Sequence, residues 1–290
     1  YCGCAGYYAG EGTDLIDLFI GQEGTLSIIT EIDLALAKLP DKILSSFVFF
    51  KKDADALNFA MEARKMDALS IEYLDENALE LLRAKNSNVP SYAKASIFFE
   101  QEMGPVNEES AFNAWLKLIS EHNADPDGTW VAMTDEEAEV FNKLRHSIPE
   151  SVNEIVRRNG FRKFSNDIAV PEKNFMKMMG IYNDTLKAEK IRHIIFGHIG
   201  ECHLHVNLLP TNEDEFKRSE QLYLEFMKKG VSLGGTISAE HGIGKIRRKY
   251  LEIMYGKKGI LEMARIKKLF DPNWILGLDN IFPKEVVKEV

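Results

Sequence analysis

The chain has 290 residues, of which 45% are hydrophobic and 28% are charged, so it can bury a sizeable core in one or two domains. The 36 basic and 45 acidic residues give a formal net charge of −9, which argues against nucleic acid or an anionic membrane as the main partner. No apolar run reaches the roughly 20 residues that a membrane span needs, and the sequence does not open with a signal-peptide pattern.

The N-terminal segment predicts a short helix followed by a strand. Residues 14–21 carry apolar side chains at helical spacing, whereas residues 25–36, TLSIITEIDLAL, have the β-branched and alternating character of a strand. The pair Pro40-Asp41 marks the first predicted boundary.

From there to about residue 269, strand-like and helix-like segments alternate. The predicted strands cover residues 45–50, 68–74, 94–101, 129–133, 192–198 and 203–210, and the predicted helices cover residues 54–66, 106–122, 135–159, 171–190 and 212–230. The strand patterns favour an antiparallel or mixed sheet with helices on one face. Pro149 should kink or end the third of these helices. A last short helix should stop at Asp271-Pro272.

Histidine is concentrated in the second half of the chain. Five of the seven histidines lie within 49 residues, at positions His193, His198, His203, His205 and His241. If residues 203–208 form a strand, His203, His205 and Asn207 share one of its faces. A turn at Gly200 would then bring His198 close to that face.

Two chemical interpretations of these histidines remain open. Two imidazoles on a rigid strand resemble part of a catalytic metal site, and Glu240 in the glycine-rich segment GGTISAEHGIGK is a better third ligand than Glu201. The adjacent His241 has the chemistry of a general base at neutral pH. Alternatively, the histidines form a hydrogen-bonded polar face without any metal.

A second group of candidate residues lies between the third predicted helix and Pro171. Arg145, within that helix, would offer a bidentate fork to a substrate carboxylate, or would be a solvated helix charge. Lys163 and Asp167 lie beside a predicted strand end, where they either line a cleft or lie on the surface.

Three separated motifs and the tail resemble the FAD-linked oxidases of the vanillyl-alcohol oxidase and p-cresol methylhydroxylase superfamily. Residues 21–28, GQEGTLSI, resemble the family segment G-S-E-G-T-L-G-I, and residues 198–205, HIGECHLH, resemble H-x-G-D-G-N-x-H. Residues 235–244, GTISAEHGIG, and the tail at 270–282, FDPNWILGLDNIF, resemble two further family motifs. The branch most similar to the chain is the D-lactate dehydrogenase and glycolate oxidase flavin-subunit type.

The resemblance implies an α+β fold, in which a ferredoxin-like antiparallel sheet with helices forms the cap, or substrate, domain. Residues 1–43 would be the C-terminal remnant of the FAD-binding domain, residues 44–269 the substrate domain, and residues 270–290 a tail that docks on the FAD-binding domain. Only 20 residues precede Gly21, and they lack the glycine-rich loop that binds the FAD pyrophosphate in this family. We therefore expect that the chain alone neither retains FAD tightly nor turns over a hydroxy acid, and that its partner is a missing N-terminal FAD-binding domain.

The resemblance also implies a reaction and a set of roles. The family oxidises a D-2-hydroxy acid, of the D-lactate or glycolate type, to the 2-oxo acid by hydride transfer to flavin. Carried over by motif position, His241 would be the base, and the ligands of a divalent metal (Zn, Mn or Fe) would be His198, His205 and Glu240. Arg145 would bind the substrate carboxylate, with Lys163 as the second candidate for that role. The residues facing FAD would be Glu23, Gly24 and Thr25.

The chain departs from the family motifs at several positions, so its substrate is open. Glu201-Cys202-His203 stands where Asp-Gly-Asn is common, so His203 joins or replaces a metal ligand. The alternative function is a non-catalytic cap-like module that binds a small hydroxy-carboxylate, a metal or an electron-transfer partner. An electron-transfer flavoprotein and an iron–sulfur subunit are both compatible acceptors. Because three cysteines make no disulfide framework, the expected location is the cytoplasm or the periphery of the inner membrane.

Overall fold

The computed structural model of the protein describes residues 4–10, 12–104 and 108–290, without the side chains of residues 287 and 288. Cys2 and the first two residues of the predicted helix 106–122 lie outside the described residues. The chain divides into two compact units. The first unit comprises Tyr1–Leu36, Asn166–Gly180 and Gln221–Val290, and the second comprises Ala37–Ser165 and Ile181–Glu220. The domain boundaries drawn from the motifs stay a prediction.

Strands and helices alternate through most of the described chain. The strands are β1 (Lys42–Phe50), β2 (Ser70–Asp75), β3 (Ala95–Met103), β4 (Trp130–Ala132), β5 (Phe164–Ser165), β6 (Ile168–Ala169), β7 (His193–Gly197) and β8 (His203–Leu208). The helices are α1 (Leu15–Phe19), α2 (Asp53–Ala63), α3 (Glu76–Lys85), α4 (Glu108–Glu121), α5 (Asp135–Asn159), α6 (Glu172–Glu189), α7 (Glu213–Ser232) and α8 (Glu252–Phe270). Among the described residues, no helix is both long and apolar enough to cross a membrane.

The second unit is built on an antiparallel sheet in the strand order β4-β1-β3-β2-β7-β8-β5. Its longest pairing joins β1 to β3, from Lys42 opposite Met103 to Phe50 opposite Ala95. Each neighbouring pair along this order is antiparallel. The predicted α+β fold with an antiparallel sheet is therefore confirmed.

Helices cover both faces of this sheet, so the prediction of helices on one face is wrong. On one face, Phe47 of β1 belongs to a core that α3 and α5 complete. On the other face, Phe50 contacts Phe59 of α2, and Phe99 of β3 stacks on Trp115 of α4 at a ring-centroid distance of 3.7 Å. Because the central strands carry large apolar side chains on both sides, each face needs its own cover.

Helix α5, which carries Arg145, covers the predicted range 135–159 and runs through Pro149, so of the two effects expected of the proline, a kink or an end, the end does not occur. Its first turn is held by a capping box, in which the Thr134 hydroxyl accepts from the Glu137 amide and the Glu137 carboxylate accepts from the Thr134 amide. Three apolar side chains near the proline are buried in the core, namely Ile148, Val152 and Ile155. Burial on both sides of the proline outweighs the loss of one helix hydrogen bond.

The first unit contains the predicted helix at α1 but lacks the predicted strand over residues 25–36. Asp14 caps α1 in a reciprocal capping box with Asp17. The structure describes residues 27–40 as neither helix nor strand, and the side chains of Ile32, Leu34 and Leu36 are exposed. In the described chain no neighbouring strand pairs with this segment, and an unpaired strand is not stable by itself.

The last helix is longer than predicted but ends where predicted. α8 begins at Glu252, contains a break in helical geometry at Gly256 with φ +61°, and ends at Phe270 immediately before Asp271-Pro272. Its buried Lys267 donates to the carbonyl of Thr25 at 2.7 Å, to Asp271 Oδ2 at 2.7 Å and to the carbonyl of Leu276 at 2.8 Å. These bonds join α8 to the loop near Thr25 and to the tail.

Asp75 links β2 to α3 and has an unusual protonation equilibrium. Its carboxylate caps α3 by accepting from the Ala78 amide at 2.7 Å. Burial raises the pKa of Asp75 to about 7, although backbone amides of Ala78 and Ile195 bond to the carboxyl group. The neutral acid is therefore favoured in the folded protein far more than in the unfolded chain.

We expect Asp75→Asn to remove one part of the pH dependence of stability. Since the folded state holds this proton up to about pH 7 and the unfolded chain releases it near pH 4, wild-type stability should fall as the pH rises. The Asn variant cannot ionise but keeps an acceptor for the helix cap. From pH 5 to pH 8, the free energy of unfolding of Asp75→Asn should therefore rise by about 2 to 3 kcal/mol relative to that of wild type. Urea unfolding at both pH values measures this gain, and a pH-independent difference would contradict it.

Candidate functional site

A tight hairpin in the second unit carries three of the predicted site histidines. β7 and β8 pair with Phe196 opposite His205, and one turn of 3-10 helix, Ile199–Glu201, joins them. Gly197 has φ +137°, and a Cβ there would lie 3.2 Å from the His205 ring and 3.3 Å from the His205 backbone nitrogen. The glycine therefore permits the close approach of the two strands. Cys202 closes the turn and is buried.

The rings of His198, His203 and His205 form a cluster. The ring centroids of His203 and His205 are 4.6 Å apart, and that of His198 lies 5.7 and 5.9 Å from them. The strand predicted over residues 203–208 is confirmed, so His203 and His205 share a face with Asn207. This face is buried rather than forming an open cleft, whereas the His198 side chain is 38% exposed.

Glu72, on β2, joins this cluster although it was not among the predicted site residues. It lies opposite Phe98 in the β2–β3 pairing and is 5% exposed. Its Oε1 accepts a hydrogen bond from His198 Nδ1 at 2.7 Å and lies 2.5 Å from Arg145 Nη1. Burial would raise the pKa of Glu72, but the hydrogen bond from His198 and the charges of His198 and Arg145 outweigh burial and lower it below the usual value.

Arg145, on α5, is held against the sheet by this contact. Its guanidinium carbon lies 5.8 Å from the centre of the Phe98 ring, and its side chain is 24% exposed. The alternative that Arg145 is merely a solvated helix charge is therefore wrong. The sequence signal for its partner was the charged residue Glu72 between Ile71 and Tyr73, in an otherwise apolar strand.

A pocket of about 320 Å³ opens beside this group. Glu72, His198, Arg64 and Glu201 contribute to its wall. Its volume is at the lower end of the range for small-ligand pockets, roughly 300 to 1,000 Å³. A small hydroxy acid is therefore of a suitable size for it.

Two more polar residues lie along the same hairpin. Asn207 is buried, and its Nδ2 donates to the carbonyls of Ile194 at 3.3 Å and His205 at 3.2 Å. Lys163 directly precedes β5, where Ser165 lies opposite Asn207. Burial lowers the pKa of Lys163. The role of Lys163 toward a substrate stays a prediction.

In the first unit, a buried carboxylate organises the loop that contains Glu240 and His241. Asp167 Oδ2 accepts from Ser238 Oγ at 2.6 Å and from the His241 amide at 2.9 Å, and Arg247 Nη1 lies 3.2 Å away. Asp167 is completely buried, so the prediction that it lies on the surface is wrong. Because Asp167 bonds to the His241 backbone and to the Ser238 side chain, it fixes the course of the loop without contacting the His241 ring through these bonds.

The side chains of Glu240 and His241 extend into solvent from this loop. His241 Nε2 lies 3.2 Å from Glu240 Oε1, and the two side chains are 55% and 40% exposed respectively. The predicted roles of His241 as base and of Glu240 as metal ligand stay predictions.

The predicted FAD-facing residues are also in the first unit, where two of their side chains bond to protein atoms. The Glu23 carboxylate accepts from the backbone amides of Ile243 and Gly244, each at 2.6 Å. The Thr25 hydroxyl donates to the Gln22 carbonyl at 2.6 Å and lies 2.6 Å from the Tyr7 hydroxyl. Burial raises the pKa of Tyr7 to about 12, so this hydroxyl stays protonated.

Comparison with known proteins identifies the family. Residues 39–279 match the family of FAD linked oxidases, C-terminal domain. The chain belongs to this family. The resemblance drawn from the motifs is therefore confirmed.

Members of the family and one solved structure show how far the similarity extends. The chain is 31% identical over 284 residues to a glycolate oxidase subunit of Bacillus subtilis, covering 96% of the chain and 59% of that protein. It is 27% identical to a mitochondrial D-lactate dehydrogenase [cytochrome] of Saccharomyces cerevisiae, covering 93% of the chain and 47% of that protein. A 4-ethylphenol oxidase from Gulosibacter chungangensis shares the fold, with a TM-score of 0.62 at 14% identity over 96% of the chain and 61% of that protein. The chain thus spans roughly half to three fifths of these proteins.

Proposed function

We propose that the chain is the substrate- and metal-binding part of an FAD-dependent dehydrogenase that oxidises a D-2-hydroxy acid, of the D-lactate or glycolate type, to the 2-oxo acid. The observation that carries the proposal is the histidine cluster with Arg145 held beside it through Glu72. Imidazole nitrogens bind divalent metals, and a guanidinium binds a carboxylate. A 2-hydroxy acid offers a hydroxyl to the metal and a carboxylate to the arginine.

The donor set in the second unit fits a divalent metal. His198 directs Nδ1 to Glu72, so Nε2 is the nitrogen that a metal would use. His205 and the buried His203 supply two more imidazoles. We propose His198, His205 and Glu240 as ligands of zinc, manganese or iron, with His203 joining or replacing one of them. When bound, the metal would lower the pKa of the substrate hydroxyl.

The other roles follow from the chemistry of this chain's side chains. Arg145 binds and orients the substrate carboxylate, and Lys163 adds a second positive charge. His241 accepts the proton of the hydroxyl group. FAD, when bound, supplies the acceptor of the hydride from the α-carbon. We propose that Glu23, Gly24 and Thr25 face FAD, with the side chains of Glu23 and Thr25 held in place by their bonds to protein atoms.

We expect Arg145→Ala to weaken the binding of D-lactate or glycolate by about tenfold to a hundredfold, because a charge-assisted hydrogen bond to the carboxylate is lost. Isothermal titration calorimetry of the 290-residue chain loaded with Zn²⁺ or Mn²⁺ measures this change. Lys143→Ala is the matched control, since Lys143 lies on the same helix with a 73% exposed side chain. Equal affinities for wild type and Arg145→Ala would contradict the proposed clamp.

Dye-linked oxidation then separates the dehydrogenase from a non-catalytic binding module. The assay supplies D-lactate, glycolate and D-2-hydroxyglutarate to the complete flavoprotein, in which this chain is joined to an FAD-binding part. Oxidation of one of these acids supports the proposal. Tight binding without oxidation would overturn it in favour of a binding module.

A further inference from the structure

We infer that Glu72 is a positioning residue that sets the orientation of His198 and Arg145 together. The inference rests on the proposed function, because it assigns these two residues to metal and substrate. Glu72 lies on β2, whereas its two partners lie after β7 and on α5. A single carboxylate oxygen, Oε1, contacts both His198 Nδ1 and Arg145 Nη1.

The contact with His198 selects one form of the imidazole ring. An ionised carboxylate can only accept hydrogen bonds, so the proton of a neutral His198 must lie on Nδ1. The lone pair is then on Nε2, the nitrogen available to a metal. Metal-ligating histidines commonly donate their other N–H to a carboxylate, which fixes the ring and increases its basicity. The hydrogen bond from His198 Nδ1 to Glu72 Oε1 is a contact of this kind.

The contact with Arg145 fixes one end of the guanidinium. Nη1 is directed to Glu72, while the buried Nε has no hydrogen-bond partner among the residues that the structure describes. Because the guanidinium is planar, the contact at Nη1 limits the directions in which Nη2, which lies 3.4 Å from His146 Nε2, can donate. The hydroxyl group of a 2-hydroxy acid would bind at the metal that His198 holds, and its carboxylate would bind to Arg145. Glu72 Oε1 would therefore orient the protein groups at both ends of the substrate.

The packing around Glu72 gives no separate reason for a charge. Glu72 lies opposite Phe98, whose ring belongs to the apolar core under α3 and α5. Burying an ion pair there has a desolvation cost, and an apolar residue of similar size would stabilise the sheet at least as well. The carboxylate is therefore explained better by the two groups it orients than by stability.

The test compares Glu72→Gln with wild type in Zn²⁺ affinity and in the state of His198. The Gln variant keeps the shape but loses the charge, and its amide nitrogen donates as readily as its oxygen accepts. We expect Zn²⁺ affinity, measured by competition with a chromophoric chelator, to fall about 10- to 100-fold. ¹⁵N spectra of histidine-labelled protein should show the Nδ1–H form of His198 in wild type and a mixture of both forms in Glu72→Gln.

A matched control separates positioning from a general loss of charge. Glu100 lies on the neighbouring strand β3 opposite Ser70, and it accepts from Asn142 of α5 at 3.3 Å. Glu100→Gln should leave both the Zn²⁺ affinity and the His198 spectrum unchanged. If Glu72→Gln does not fold, Glu72→Asp serves instead, because it keeps the charge but shortens the reach and should give an intermediate affinity.

The outcomes distinguish this inference from the proposed function. If wild type binds neither Zn²⁺ nor a hydroxy acid, the proposed function fails and the inference fails with it. If wild type binds Zn²⁺ and Glu72→Gln binds it equally well with the same His198 spectrum, the inference is overturned while the proposed function stands.

Discussion

Replacing Lys267 by alanine should lower the free energy of unfolding by about 3 to 5 kcal/mol. The Lys267 ammonium group is 2% exposed and bonds to Asp271 and to the carbonyls of Thr25 and Leu276. Its removal leaves the buried Asp271 carboxylate without its charged partner and two carbonyls without a donor. Removing one partner of a buried ion pair is strongly destabilising because the other charge stays buried without a partner. This loss is much larger than the stability that the intact pair contributes relative to two apolar residues.

Chemical denaturation of Lys267→Ala and of a matched variant measures this loss. Arg265 lies on the same helix and pairs with Glu262, but both of these side chains are more than half exposed. Arg265→Ala should therefore change stability by no more than about 1 kcal/mol. The double variant Lys267→Ala/Asp271→Ala should be less destabilised than the two single losses added together. A Lys267→Ala variant as stable as Arg265→Ala would contradict the assigned role.

His241→Ala should reduce the turnover number of the complete flavoprotein about 10²- to 10⁴-fold, because the hydroxyl proton loses its acceptor. Substrate binding should change little, since the proposed binding groups are on other residues. The loop should keep its course, because Asp167 holds it through the His241 amide and not through the ring. A dye-linked steady-state assay measures the turnover number, and calorimetry measures binding.

Added imidazole should restore part of the activity of His241→Ala, because it can accept the proton in place of the missing ring. His193→Ala serves as the control, since its ring bonds to the carbonyl of Ile191 and has no proposed role. Equal turnover of His241→Ala and wild type would show that another group is the base. A parallel loss of binding would instead indicate that His241 holds the substrate.

Most regular elements of the second unit, although not α3 and β5, were predictable because their apolar patterns are strong. Residues 45–50 and 203–208 show strand patterns that the structure confirms at β1 and β8. The predictions failed where distant contacts decide the outcome. The segment 25–36 forms no strand because no neighbouring strand pairs with it among the described residues. Of the two effects expected of Pro149, a kink or an end of α5, the end does not occur because residues around it are buried in the core.

The candidate site was predictable only in part, for a related reason. The histidine cluster could be found because i and i+2 residues of a strand share a face, which is a local rule. The partnership of Glu72 with Arg145 and His198 depends on the pairing of β2 with β7 and on the helix that covers them. No local pattern connects three residues that are so far apart in sequence. Glu72 was therefore visible only as a charge in an apolar strand.

The exposed segment at residues 28–36 bears on how the chain behaves at high concentration. Its alternating apolar residues, Ile32, Leu34 and Leu36, have the pattern of a strand, and their backbone has no strand partner in the described chain. Such a segment is a template for pairing between molecules and hence for aggregation. Glu31 and Asp33 interrupt the apolar run and repel their counterparts on a second copy. Colloidal stability of the isolated chain should therefore depend on the repulsion between these charges, so added salt, which screens it, should promote aggregation.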